Sequence, residues 1–121
     1  MGKVTRFEDL LGVTLVSVDV AASDEVVELR TDTGRVFRLY HMQDCCENVY
    51  LAEIVGDLAD IIDHPLLVAE CVEHDSEPTE SGTSTWTFYK LSTIKGSVTL
   101  RWLGESNGYY SESVEFEEVG A

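Results

Sequence analysis

Apolar residues recur at every second position through much of this chain, the period of a strand with one buried face. Residues 14–20 place Val16, Val18 and Val20 on one side, and residues 25–31 place Val27 and Leu29 on one side, with a turn at Ala22, Ser23 and Asp24. Asp32, Thr33 and Gly34 mark a hairpin, after which residues 35–41 alternate again and His41 continues the row of Phe37 and Leu39. Residues 49–54 predict a further strand. Residues 66–73 are apolar on both faces, Leu66, Val68 and Val72 against Leu67, Ala69 and Cys71, which predicts a strand inside a sheet with Glu70 buried in it. Later, Trp86 and Phe88 alternate with Thr87 and Tyr89, and Val98, Leu100 and Trp102 with Thr99 and Arg101, about a turn at Ile94, Lys95 and Gly96. Asn107-Gly108 is the strongest hairpin signal and predicts a final strand over residues 113–119 with Val114 and Phe116 inward.

Helical signals are few. Thr5 and Glu8 form a capping-box pattern ahead of Leu10, Leu11 and a helix-ending Gly12. Asp57 predicts the N-cap of a second short helix, with Leu58, Ile61 and Ile62 inward and Pro65 blocking its continuation. The fold expected is mainly β, α+β at the margin: an antiparallel β-sandwich or partly open barrel of about seven to eight short strands with two short helices. The 121 residues suffice for one core, so a single domain spans 1–121, and residues 75–84 have the composition of a flexible acidic loop within it.

Charge narrows the range of partners. Eight basic residues against 23 acidic ones give a net charge of −15, which repels nucleic acid and anionic lipid, so neither direct nucleic-acid binding nor membrane binding is expected. From residue 39 to residue 89 there is no Lys or Arg, while eleven Asp and Glu fall there. Such a tract forms a solvated face, docks a basic partner protein, holds a cation, or imitates nucleic-acid charge. The three cysteines, two of them adjacent, are not a spaced disulfide framework, and no apolar run approaches the roughly 20 residues of a membrane helix. The first residues lack the apolar core of a signal peptide, so a reducing cytoplasm is the expected compartment. Exposed sheet edges make a dimer an open expectation.

The distinctive chemistry collects in one stretch: His41, Gln43, Asp44, Cys45, Cys46 and Glu47. As a strand it puts His41, Gln43, Cys45 and Glu47 on one side and Asp44 and Cys46 on the other; as a turn it lets His41, Asp44, Cys45 and Glu47 converge. His64, Glu70 and Cys71 are secondary candidates. Together with His74, the His and Cys side chains are of the kinds that bind zinc, but there is no pair of C-x-x-C elements and no H-E-x-x-H, so no cofactor is expected and a divalent metal is the alternative. Acidic neighbours raise a thiol's pKa and oppose cysteine catalysis, so no catalytic residue is assigned. The structural alternative has Asp44 and Glu47 capping turn donors while His41 and a cysteine fill the core.

The segment His41-Met42-Gln43-Asp44-Cys45-Cys46-Glu47-Asn48-Val49, the Phe7-Glu8-Asp9-Leu10-Leu11-Gly12 opening and the late Trp-containing strands resemble small uncharacterised proteins of bacteriophage genomes and marine metagenomes that share an H-x-Q-D-C-C-E-x-V signature. The resemblance covers most of the chain and carries no activity. It implies a phage-associated protein in the cytoplasm of a bacterial host, and it singles out the residues from His41 to Glu47. Two functional expectations follow: a non-enzymatic accessory protein whose acidic surface meets a basic host or phage protein, or a small metal- or ligand-binding domain built on the His41–Glu47 cluster.

Overall fold

The structure, a computed structural model, describes residues 6–42, 46–80, 82–108 and 111–119. Eight strands form two antiparallel sheets of four. The first holds β1 (Leu15–Val20), β2 (Val26–Thr31), β3 (Val36–Tyr40) and β8 (Glu115–Val119) in the order β1-β2-β3-β8. The second holds β4 (Glu47–Val55), β5 (Val68–Asp75), β6 (Thr83–Thr93) and β7 (Gly96–Ser106) in the order β4-β7-β6-β5. The sheets stack as a sandwich, not a closed barrel. Leu29, Phe37 and Leu39 of one sheet and Leu91, Leu100 and Trp102 of the other are all fully buried between them.

Alternation places most of these side chains, and two bulges explain where it breaks. Leu15 pairs with Thr31 and Ser17 with Arg30, so Val16 is the extra residue of β1. The inward row therefore switches from Leu15, fully buried, to Val18 and Val20, and Val16 is turned out to 44% exposure instead of sharing their face as expected. In β4 the shift lies between Leu51 and Glu53, so Glu47, Val49 and Leu51 point inward before Ala52 and Ile54 after it.

Three further expectations are corrected. β5 is an edge strand, paired only with β6, and Glu70 on its solvated face is exposed opposite Lys90. Its apolar residues are divided accordingly: Ala69 is buried, whereas Val72 and the preceding Leu67 are exposed. Asn107-Gly108 turns the chain but does not return it as a hairpin. β7 is already flanked by β4 and β6, with no open edge to accept β8, so the chain crosses to the other sheet and β8 pairs with β3. Finally, the two short helices are single 3-10 turns, Phe7–Leu10 and Leu58–Ile61. Asp57 caps the second as expected, accepting from the Ala59 amide at 3.0 Å. The N-cap of the first is Arg6, with no side-chain cap bond, and Thr5 lies outside the described residues.

Candidate functional site

Both crossings between the sheets lie at one end of the sandwich, where β3 gives way to β4 and where β7 gives way to β8. His41 follows β3 directly. Its side chain is 3% exposed and that of Glu47 is 1% exposed, with Nε2 of the ring 2.8 Å from Glu47 Oε2. On the other side of the ring, Nδ1 donates to the Ser113 carbonyl at 2.8 Å. A carbonyl only accepts, so Nδ1 carries a proton. The Nε2 contact with a carboxyl oxygen requires one more proton, on the ring or on Glu47, and the pair is formally neutral in either form. Both ring nitrogens are thereby engaged, and His41 joins the start of β4 to the segment that leads into β8.

Of the remaining cluster, Cys46 is exposed, while Gln43, Asp44 and Cys45 lie outside the described residues. His64 sits before Pro65, where the Thr14–Pro65 bridge ties that segment to the start of β1, at the end of the first sheet opposite His41. Cys71 is half-buried beside Tyr89, and burial first, with Glu73 and Glu8 adding to it, pushes its thiol pKa up, which keeps it protonated and weakly nucleophilic. Among the described residues no three His, Cys, Asp or Glu side chains gather as a metal-ligand set.

A group not singled out from sequence occupies the same end. Glu112 Oε2 accepts from the hydroxyls of Thr83 and Ser106, and Oε1 accepts from Thr85 at 2.8 Å. Partial burial favours the neutral acid, but the hydroxyls of Ser106, Thr83 and Thr85 together outweigh it and hold the carboxyl pKa below its ordinary value. Thr85 also stands 3.1 Å from Asp75 Oδ1 and has one proton for two carboxylates. What lets Glu112 reach this position is Gly104. A Cβ there would lie 2.4 Å from the Glu112 carbonyl oxygen, so a glycine in the middle of the alternating row of β7 is the sequence signal of this close approach.

Around Glu112 lies a cleft of about 510 Å³ lined by Glu73, Asp75, Ser76, Pro78, Thr83, Ser84, Thr85, Glu112 and Ser113. A second recess of about 260 Å³ shares Thr83 and Ser84 with it and adds Glu77 and Glu105. Three carboxylates border the cleft and two more border the adjoining recess, and neither lining contains a Lys, Arg or His. Elsewhere some acids have an arginine partner: Arg35 binds Glu118 through two nitrogens at 2.9 and 2.8 Å, Arg38 and Arg30 meet Glu28, and Arg101 meets Glu53. Here hydroxyls stabilise the charge without cancelling it. The chemistry of this lining suits a cationic group.

No match was found among curated proteins or among solved structures. A family model does match, over residues 8–116, which take in every strand from β1 to β7 and the start of β8. The chain belongs to that family, described as a domain of unknown function (DUF7448).

Proposed function

We propose that this domain is a non-enzymatic, phage-associated accessory protein that binds a basic segment of a host or phage protein in the acidic cleft between β5, β6 and the segment before β8. The observation that carries the reading is Glu112, kept ionised by three hydroxyls in a cleft whose lining supplies two more carboxylates, Glu73 and Asp75, and no cation. An arginine or lysine side chain entering there gains attraction from several carboxylates at once, and no resident cation has to be displaced. Binding instead of catalysis is supported by the state of His41 and Cys71. His41 has both ring nitrogens committed and is closed to solvent, and the Cys71 thiol is held protonated. The same commitment of His41 argues against a metal site built on His41 and Glu47.

Calorimetric titration with an octapeptide of alternating Lys and Val tests the proposal. Binding is expected at low ionic strength, weakening steadily as salt rises from about 0.05 M to about 0.5 M. Combined Glu73→Gln, Asp75→Asn and Glu112→Gln substitutions are expected to weaken it by at least about tenfold. Asp9→Asn with Asp32→Asn, outside the cleft, is expected to leave it nearly unchanged. No binding at low salt, or equal loss in both variants, would overturn the reading.

A further inference from the structure

The sandwich has four edge strands, and three of them are guarded. β1 is bulged at Val16, and the segment before β5 lies along it, with the Asp63 amide donating to the Leu15 carbonyl at 2.7 Å. β4 is bulged at Ala52, and the Leu51 amide donates to the carbonyl of Asp24 at 2.7 Å. β8 is five residues long and carries three glutamates. β5 has eight residues, no Pro, Lys or Gly, and an unbroken register from Val68–Ser92 to Asp75–Thr85. β5 lacks the bulges, prolines, lysines and short length that keep strand edges from pairing, and the charges it does carry, Glu70, Glu73 and Asp75, repel another acidic edge but attract a basic one.

We infer that β5 is the docking edge for the basic partner, which adds to the second sheet as a further antiparallel strand. This inference rests on the acidic-cleft reading above. The phase of the ladder fixes which groups are available. The Ser76 amide donates to the directly opposite Ser84 carbonyl at 2.9 Å, so bonded pairs fall at every second residue from there, and His74, Val72 and Glu70 direct their backbone groups to β6. The backbone N–H and C=O groups of Cys71, Glu73 and Asp75 then point away from the sheet. Among the described residues the Phe7–Leu10 turn also lies against β5, and its Phe7 packs on Tyr89 of the neighbouring β6 with ring centroids 4.7 Å apart, but no backbone hydrogen bond joins that turn to β5.

Side chains and backbone agree on the kind of strand that fits. Glu73 and Asp75 line the cleft, and their own N–H and C=O groups face outward along the edge. A residue paired opposite either of them has its side chain on the same side of the sheet, toward Glu73, Asp75 and Glu112, and that residue is best cationic. Its neighbours fall on the other face beside Val72, which is 43% exposed, and these are best apolar. The partner segment is therefore an extended run that alternates basic and β-branched residues, held by main-chain bonds and read by alternate side chains.

The experiment alters the ligand and leaves the protein intact. The alternating Lys-Val octapeptide is compared with two versions, one N-methylated at every Lys amide and one at every Val amide. Lys amides point at β5 in the antiparallel arrangement, so methylation there is expected to weaken binding by about tenfold or more, while Val methylation changes it by less than about threefold. Equal effects of both, no effect of either, or greater sensitivity to Val methylation overturns the added strand and leaves the acidic cleft standing. Failure of the unmethylated peptide to bind overturns the cleft reading itself.

Discussion

Replacing His41 with alanine is the perturbation that most directly tests how this end of the molecule is held together. The imidazole is nearly sealed from solvent, at 3% exposure, and bridges Glu47 Oε2 and the Ser113 carbonyl, each at 2.8 Å. Its removal leaves the Glu47 carboxyl, 1% exposed, without its imidazole partner and takes a donor from the carbonyl that anchors the approach to β8. Breaking a buried pair from one side costs about 3–5 kcal/mol, because the surviving group keeps its desolvation penalty. Against the roughly 5–15 kcal/mol that stabilises a domain of this kind, the loss is severe. We expect urea denaturation of His41→Ala to show a fall of about 3 kcal/mol or more, undiminished in about 0.5 M salt because the pair is shielded from counterions. The double substitution His41→Leu with Glu47→Leu removes both polar groups and is expected to recover part of that loss, about 1 kcal/mol or more relative to His41→Ala. If His41→Ala stays within about 1 kcal/mol of the wild type, or the double substitution is no better than the single one, the pair does not carry the role given to it here.

Three other outcomes follow from particular contacts. Glu112 binds its proton more weakly in the folded state than in the unfolded one, so its contribution is complete above its ordinary value of 4.5 and is lost as pH falls through the lower folded value; the stability difference between wild type and Glu112→Gln, followed by denaturation at successive pH values, should shrink in that acidic window and stay flat near neutrality. Gly104→Ala places a methyl group 2.4 Å from a backbone oxygen of Glu112 and should cost about 1–3 kcal/mol in denaturant titration, with faster proteolysis over residues 107–114 than in the wild type. Thr87→Val should be neutral or stabilising by up to about 1 kcal/mol in thermal melts, since the Thr87 hydroxyl is buried with no hydrogen-bond partner among the described residues and valine keeps its shape.

Much of the strand content was legible because one face of each sheet is buried and the period of two survives in the side chains. Val27 and Leu29, Phe37 and Leu39, and Val98, Leu100 and Trp102 all point inward as their spacing predicts. Sequence periodicity fails where the backbone gains a residue. Val16 belongs to the row of Val18 and Val20 by counting, and the bulge separates them. It also gives no strand order. A run apolar on both faces reads as an interior strand, but in β5 the outward Val72 and the preceding Leu67 simply remain exposed, and Glu70 is solvated with them. Asn107-Gly108 announces a reversal without saying which strand the chain next meets. At the candidate site, the row from Phe37 through Leu39 continues into a histidine that is itself buried, and both readings of the cluster placed His41 and Glu47 on one side, where they meet. Glu112 was invisible because its partners, Thr83, Thr85 and Ser106, come from two other strands and are ordinary hydroxyl residues.

The pairing of β8 with β3 has a kinetic consequence. About three-quarters of a hundred residues separate Leu39 from its partner Phe116, and all of the other sheet is strung between them. Closing so large a loop costs entropy before any contact rewards it, and topologies dominated by distant pairings acquire their native state slowly, over milliseconds to seconds. Until that closure, the nascent β1–β3 meander exposes one bare flank to other chains. The exposure of that flank during refolding should therefore last until β8 arrives, and His41, bonded to Ser113 just ahead of it, stands where the strand is held once it has docked.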